Sequence, residues 1–426
     1  MMRSIPRSFY LILLEVLLGA FLLVRGALPA LSTVDTDFPN YYTAARIVVT
    51  GRQVDRLYDD RWFQEQIAAE GIPLPGKFSP FPPVTALLFV PLAFVSPLTA
   101  LRILTALNLA VIAASVVLMS RTARISFHAS LLVVLLSGIG LANCLRFGQL
   151  YILLSFSLLL GYSCYRSGRL IAAGVCFGFW IPVKYYPAAL LIYFMMRREW
   201  RLLASALITA CIVVALGIIV LGWDIHRQFL MTVLGGHLAG ELSLQSPFSP
   251  VFQSFSSLYH ALFLEDPLLH PHAAIPSLVL YRLALFGTLA VVPAIAVRSI
   301  VRVHRVGDDG SIVISLLGLL PLLLAPATAT YHSVLLWLPA GLMASRLREA
   351  GMLMPKYIFG SLYAVVGFIP YSFFYRFYDK GFLVVLAYPR LIVYAAAFAA
   401  IVCYAERMAM RSLQMVPPAT RFGPQD

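Results

Sequence analysis

The chain has 426 residues, of which 60% are hydrophobic and only 12% are charged, and its mean hydropathy is +0.85. Soluble domains average about 45–50% apolar and about 25% charged residues, so this chain carries more apolar side chains than a globular surface hides. The composition therefore excludes a soluble enzyme, and the length excludes a single-span anchor. Apolar spans of about 20 residues predict an all-α, polytopic transmembrane bundle of about 10–13 membrane helices.

The first apolar run, from Phe9 to Leu31, is longer than the core of a signal peptide and lacks a small-residue cleavage site. It predicts a retained first helix, and Arg3 and Arg7 before it place the N-terminus in the cytoplasm. Later apolar runs are separated by basic clusters: Arg121/Arg124, Arg166/Arg169, Arg197/Arg198/Arg201, Arg298/Arg302/Arg305, Arg346/Arg348/Lys356 and Arg407/Arg411. The net charge of +13 is therefore an orientation signal, and nucleic acid drops out as a partner.

Ten crossings place every basic cluster on one face, near residues 9–31, 98–120, 126–145, 149–165, 202–222, 277–297, 311–326, 333–345, 357–375 and 382–402. This arrangement holds only if two further apolar stretches enter and leave the membrane on the same face. Residues 81–95 contain three prolines and residues 170–196 contain two, so each stretch predicts a re-entrant or broken helical pair. Because non-helical backbone at membrane depth must be buried in protein or line a wet cavity, both stretches point to a site.

Acidic residues concentrate on the opposite face, in two large loops at residues 32–80 and 223–276. Any chemistry is therefore expected outside the cytoplasm. We interpret residues 1–414 as a single transmembrane domain and residues 415–426 as a disordered cytoplasmic tail. The predicted location is the bacterial plasma (inner) membrane, with membrane lipids around the bundle.

The first large loop predicts two short amphipathic helices, at about residues 41–50 and 58–70, the second with Tyr58, Trp62 and Phe63 suited to the headgroup layer. Asp37 precedes the first helix and has two interpretations. It is either the helix N-cap or a general base that removes a proton from an acceptor hydroxyl, a role that a partly desolvated carboxylate suits.

Metal chemistry has weak support in the sequence. Asp35 and Asp37 form a D-x-D pair that could hold a divalent cation, although such pairs are common by chance. The outer histidines lack zinc-ligand spacing, and the five cysteines are scattered singly through apolar runs. We predict no obligatory cofactor, with a divalent metal possible but not required.

Four further polar residues are candidates for substrate contacts. Lys184 lies in the second broken stretch and suits a phosphate, or else it snorkels to the interface. Arg146 suits a phosphate and Gln149 a sugar, or both belong to a plain loop junction. His332 suits a phosphate or leaving group, or else it is a hydrogen-bonded packing residue.

Short motifs occur in a fixed order along the chain. They are Asp37-Phe-x-x-Tyr-Tyr-x-Ala-Ala, Phe78-Ser-Pro-Phe-Pro-Pro83, Pro91-Leu92-Ala93, Gly148-Gln149, Ala173-Gly174 with Gly178, Lys184-x-x-Pro187, Arg197-Arg198-x-Trp200-Arg201, Phe252-Gln253-Ser254 and Tyr331-His332. In order and spacing the series resembles glycosyltransferase family 87, membrane enzymes of the GT-C class that are similar to polyprenol-phosphate-mannose-dependent mannosyltransferases. The resemblance spans roughly residues 9–345.

The resemblance implies an inverting hexosyltransferase, with mannose as the first candidate sugar. The enzyme would move the sugar from a polyprenyl-phosphate donor to a hydroxyl of a lipid or glycan acceptor at the extracytoplasmic face. The resemblance assigns Asp37 as the catalytic base. It matches Lys184 and His332 to positions near the donor phosphate, and Gln149 and Gln253 to polar positions that line the cavity. To these we add Arg146 for the donor phosphate and Asp35, Tyr41 and Tyr42 for substrate binding.

The sequence departs from the family pattern at three places. The usual Tyr-Pro-Pro reads Phe81-Pro82-Pro83, the usual Asn-Gln-Ser reads Phe252-Gln253-Ser254, and a tryptophan upstream of His332 is missing. These departures bear on the sugar and the acceptor. The competing hypotheses are a transporter or flippase of lipid-linked sugars, which broken helices also favour, and a non-catalytic scaffold.

Overall fold

The computed structural model describes residues 6–238, 246–307, 310–378 and 380–414, and within these ranges every regular element is helical. The predicted all-α class is confirmed. The predicted disordered tail at residues 415–426 lies outside the described residues.

The N-terminal half contains twelve α-helices. They are α1 (Arg7–Leu22), α2 (Leu28–Ser32), α3 (Phe38–Val49), α4 (Asp60–Ala69), α5 (Thr85–Phe89), α6 (Pro97–Thr122), α7 (Phe127–Leu135), α8 (Gly138–Arg146), α9 (Tyr151–Arg166), α10 (Leu170–Gly178), α11 (Tyr186–Met196) and α12 (Trp200–Leu221). A π-helical segment, Leu23–Ala27, joins α1 to α2, and 3₁₀ turns form at Val54–Arg56 and Val90–Leu92.

The remaining described residues form nine more α-helices. They are α13 (Trp223–Gln228), α14 (Leu234–Leu238), α15 (Phe255–Phe263), α16 (Leu278–Arg305), α17 (Ser311–Leu324), α18 (Trp337–Glu349), α19 (Leu353–Phe368), α20 (Tyr371–Tyr375) and α21 (Pro389–Gln414). A π-helical segment spans Phe229–Val233, and longer 3₁₀ turns span Thr330–Leu336 and Gly381–Ala387.

Five helical segments are long and apolar enough to cross a membrane: Ser8–Ser32, Pro97–Thr122, Trp200–Leu221, Leu278–Arg305 and Pro389–Arg411. The pair α7 and α8 adds a sixth candidate, bent by 68°. The chain is therefore a polytopic helical bundle. The last long helix begins at Pro389, later than the predicted crossing, because a 3₁₀ turn occupies Gly381–Ala387. The total of 10–13 crossings stays a prediction, since several other apolar helices are shorter than a span.

Both stretches predicted to be broken are broken in the structure. Residues 81–95 form only the five-residue helix α5 and a 3₁₀ turn that contains Pro91. In the second stretch α10 ends at Gly178 and α11 begins at Tyr186. Pro182 lies in this break, where a residue without a backbone N–H does not interrupt a helical ladder. The break places Lys184 on irregular backbone between two apolar helices.

Two glycines bring α10 against α12. A side chain at Gly174 or Gly178 would overlap the backbone of α12 at Leu202 and Ala206. The glycines are four residues apart and so lie on one face of α10, an arrangement that permits close helix crossing in membranes. The hydroxyl of Ser205 donates to the Ile171 carbonyl at 2.9 Å across the same contact. This pairing fixes the helix that leads into the break.

The two predicted helices of the first loop are present as α3 and α4. Arg46 of α3 and Arg52 both pair with Glu70 after α4, at 3.1 and 3.4 Å. The predicted position of Trp62 and Phe63 in the headgroup layer is wrong. Both rings are buried, because the amphipathic face of α4 packs onto α3 and the loop after α4. The first loop thus forms a small core that supports its own helices.

We expect the change Gly178→Val to lower the melting temperature of the purified protein in detergent. The added side chain would push α10 away from α12, and overpacking of this kind costs about 1–3 kcal/mol. The matched control is Gly19→Ala in α1, where an added methyl group meets nothing within 4 Å. Equal melting temperatures for Gly178→Val and the control would contradict the close crossing.

Candidate functional site

Asp37 occupies an unusual backbone conformation directly before α3. Its φ is 68° and its ψ is −46°, and the Phe38 N–H donates to the Thr36 carbonyl at 2.9 Å. A hydrogen bond between residues i and i+2, with a central residue at these backbone angles, defines the rare and strained form of the γ-turn. Strain of this type persists where the surrounding structure holds it and concentrates at functional sites. Asp37 makes no side-chain capping bond to α3, so the N-cap interpretation is wrong.

Gln149 holds the Asp37 carboxylate from the other side. Its Nε2 donates to Asp37 Oδ2 at 2.7 Å, and its Oε1 accepts from the Tyr41 hydroxyl at 2.9 Å. Gln149 is 1% exposed, so the amide is fixed between these two partners. The turn from α8 to α9 therefore sets the orientation of the carboxylate.

Gly148 makes this turn possible. Its φ is +61°, a conformation that side chains rarely adopt, and an added Cβ would overlap the Phe38 ring. Phe38 is the first residue of α3 and is fully buried. The Gly148-Gln149 pair thus allows the turn to approach the start of α3 closely enough for the Gln149 amide to reach Asp37.

Lys184 lies in an aromatic enclosure near Asp37. Its Nζ is 4.4 Å from the centroid of the Phe81 ring and 5.2 Å from that of Tyr151. The residue is 9% exposed, which rules out the snorkelling interpretation. Among the described residues Lys184 forms no ion pair, although Asp37 attracts it electrostatically. A buried ammonium group without a paired anion is expensive unless a ligand supplies one.

His332 lies behind Tyr151. Its Nδ1 accepts from the Ala329 N–H at 3.0 Å, so the proton of the neutral ring is on Nε2, which donates to the Tyr151 hydroxyl at 2.7 Å. Both ring nitrogens are therefore occupied by the protein. In this arrangement His332 orients Tyr151, whose ring faces Lys184.

The neighbouring Tyr331 contributes to the site directly. Its hydroxyl helps to lower the pKa of the Asp37 carboxyl, and its ring stacks on Tyr151 at 5.4 Å between centroids. The 3₁₀ turn Thr330–Leu336 thus delivers two residues to the site: Tyr331 to Asp37 and His332 to Tyr151.

Arg146 pairs with Asp35 at 2.5 Å. The Arg146 side chain also lines a separate cavity of about 280 Å³ together with Arg25, Asn143 and Tyr371. The Asp35 carboxylate, which forms the D-x-D pair with Asp37 in the sequence, is engaged by Arg146 in the structure. Within the described residues no group of three or more His, Cys, Asp or Glu is placed to hold a metal ion.

The structure does not bring Tyr42 and Gln253 to Asp37. The Tyr42 hydroxyl donates to the Val95 carbonyl at 2.7 Å. Gln253 is fully buried; its Nε2 donates to the carbonyls of Pro250 and Ala387, and its Oε1 accepts from the Arg390 N–H. These hydrogen bonds join Gln253 of the second large loop to the start of α21 and the residues before it.

Three aromatic residues of the site were not singled out from the sequence. Phe81 and Tyr151 face Lys184, and Tyr186 packs on His332 at 5.5 Å. Phe81 was noted only as a departure from a motif. Tyr151 follows the Gly148-Gln149 pair by two residues and begins α9, which is the local signal that could have marked it.

Burial raises the pKa of the Asp37 carboxyl above its ordinary value, while the hydrogen bond from Gln149 and the charge of Lys184 pull in the opposite direction. Asp37 as a whole residue is half-buried. A carboxyl of this kind can accept a proton from a bound hydroxyl. The site therefore places a carboxyl and an ammonium group near each other, with aromatic rings around the ammonium group.

Comparison with protein families agrees with the resemblance described above. The sequence model of glycosyltransferase family 87 matches residues 80–326, more than half of the chain. The match contains Gln149 and Lys184, whereas Asp37 and Tyr331 lie outside it. No match was found among curated proteins or among solved structures.

Proposed function

The chain belongs to glycosyltransferase family 87, and we propose that it is an inverting hexosyltransferase that uses a polyprenyl-phosphate-sugar donor, with mannose as the first candidate sugar. The acceptor is a hydroxyl of a lipid or glycan. The observation that carries the proposal is the placement of the Asp37 carboxylate, fixed by Gln149, near the buried Lys184, which forms no ion pair among the residues that the structure describes.

Asp37 acts on the acceptor in this proposal. The acceptor hydroxyl oxygen attacks the anomeric carbon of the sugar and forms the new C–O bond, while Asp37 Oδ takes the hydroxyl proton. The bond between the anomeric carbon and the phosphate oxygen breaks, and the oxygen leaves with the electron pair as polyprenyl phosphate. Attack and departure on opposite faces invert the configuration at the anomeric carbon.

Lys184 stabilises the leaving phosphate. Negative charge grows on the phosphate oxygen as the bond breaks, and a fixed ammonium group lowers the energy of that state. The rings of Phe81 and Tyr151 exclude water around the ammonium group, which strengthens the interaction. Because the phosphate gains one unit of negative charge as the bond breaks, one cation can offset that gain, and the proposal requires no obligatory metal.

The charge pattern of the sequence supports an active site on the outer face of a bacterial inner membrane. Asp37 follows the first membrane helix, which ends at Ser32. The predicted orientation puts the N-terminus in the cytoplasm, so the carboxylate lies at the outer surface, where a lipid-linked donor presents its sugar.

We expect Asp37→Asn to lower the rate of sugar transfer by at least about 10²–10⁴-fold, because the amide cannot accept the acceptor proton. The measurement is transfer of radiolabelled mannose, glucose or arabinose from its polyprenyl-phosphate donor to a membrane lipid extract. Asp55→Asn is the matched control, since Asp55 is an exposed residue of the same loop. Full activity of Asp37→Asn would remove Asp37 as the base.

The change Lys184→Met is expected to raise the KM for the donor and to lower kcat, since the phosphate loses its partner in both the bound and the leaving state. Steady-state kinetics at saturating acceptor measures both constants. Lys184→Arg keeps the charge and should restore part of the activity. An unchanged dependence of the rate on donor concentration in Lys184→Met would refute the phosphate-binding role.

The pH dependence follows from the raised pKa of Asp37. A base works only when deprotonated, so the rate should rise with pH, with a midpoint above the ordinary range of an aspartate. In Gln149→Leu the carboxylate loses a hydrogen bond that stabilises its charged form, so the midpoint should move to higher pH. A pH–rate profile of kcat/KM measures the midpoint, and a shift to lower pH would contradict the assignment.

The transporter hypothesis gives a different outcome in the same preparation. Reconstituted in vesicles, a flippase would move the intact donor across the membrane without transferring its sugar. That result, together with the absence of sugar transfer to any acceptor, would replace the proposed enzyme by the transporter.

A further inference from the structure

A large apolar groove lies away from Asp37, in the C-terminal half of the bundle. Its volume is about 1030 Å³, and it is formed by residues of α17, α18, α19 and α21. Most of the lining is aliphatic or aromatic. Ile358 on its wall is 53% exposed, so the groove opens on the outer surface of the bundle.

Small residues on α21 make the groove. Ala396, Ala397 and Ala400 lie along its wall, where longer side chains would reach α18 and α19 and close the space. The same helix packs tightly elsewhere, since Leu391 and Ala405 are fully or almost fully buried. The groove is therefore a local gap in an otherwise well-packed helix contact.

One end of the groove carries three arginines. Arg346 comes from the last turn of α18, and Arg407 and Arg411 lie four residues apart on one face of α21. The adjacent carboxylate, Glu406, points elsewhere and pairs with Arg298 and Arg302. Arg407 and Arg411 have no ion pair within the part of the chain that the structure describes.

The basic end is the end of the bundle opposite Asp37. The turn that carries Tyr331 enters α18 at Trp337, and α18 then runs away from the site to Arg346. On α21 the lining extends from Val393 to Arg411, about 27 Å at roughly 1.5 Å per residue. The groove thus runs along most of a hydrocarbon core of about 30 Å.

We propose that this groove binds an anionic phospholipid, with its phosphate headgroup at Arg346, Arg407 and Arg411 and its acyl chains along the alanine face of α21. Basic pockets between membrane helices attract anionic headgroups, and an apolar channel at membrane depth accepts hydrocarbon chains. A sugar donor at Asp37 presents its phosphate at the other end of the bundle, so the basic end does not serve that donor.

The test measures which lipids the full-length protein retains. Protein purified in mild detergent is incubated with phosphatidylglycerol or phosphatidylcholine of identical acyl chains, and bound lipid is counted by native mass spectrometry. The wild-type protein should retain phosphatidylglycerol in preference. The double change Arg407→Gln and Arg411→Gln should lower that retention by about tenfold or more and leave phosphatidylcholine unchanged.

Two further variants separate the groove from general surface charge. Arg121→Gln with Arg166→Gln removes the same charge from the same predicted face outside the groove and should leave retention unchanged. Ala397→Trp fills the groove and should lower retention with all three arginines intact.

Three results would overturn the proposal. They are equal retention of the two phospholipids, an equal loss in the Arg121/Arg166 control, and a loss of polyprenyl phosphate instead of phosphatidylglycerol in the Arg407/Arg411 variant. None of these measurements depends on sugar transfer, so they stand apart from the test of Asp37.

Discussion

The hydrogen bond between Gln149 Nε2 and Asp37 Oδ2, 2.7 Å long, is the interaction on which the site depends. It joins the first loop to the turn between α8 and α9, two segments more than 100 residues apart in sequence. The γ-turn at Asp37 places the carboxylate toward that turn instead of toward the start of α3. The backbone strain therefore has a clear role, because it turns a residue in the N-cap position into an acceptor for the Gln149 amide.

The broken helices supply the rest of the site. Lys184 and Phe81 both come from stretches where prolines interrupt an apolar run, and they meet at 4.4 Å beside Asp37. Tyr331 comes from a 3₁₀ turn between two apolar helices. In an unbroken helix the backbone groups would hydrogen-bond within the helix, and these side chains would lie along its surface. The interruptions bring a carboxylate, an ammonium group and aromatic rings together, as expected where irregular backbone is buried in protein.

Local signals predicted much of this arrangement. Apolar length and proline positions predicted the long helices and both breaks. Asp37, Gln149 and Lys184 were picked out from the sequence, and the structure brings them together. Tyr42 and Gln253 were expected at the site but hydrogen-bond elsewhere, because the direction of a side chain depends on packing between distant segments. Trp62 and Phe63 were wrongly predicted to lie in the headgroup layer, because an amphipathic face fits a headgroup layer or a small protein core equally well. With no matching solved structure, the GT-C assignment stays a prediction.

The configuration of the product at its anomeric carbon tests the central claim most directly. If Asp37 activates the acceptor for direct displacement of polyprenyl phosphate, one inversion occurs, and no sugar becomes covalently attached to the protein. Nuclear magnetic resonance of the product made from a donor of known configuration should show the inverted linkage. A retained configuration, or a sugar trapped on the Asp37 carboxylate, would contradict the account.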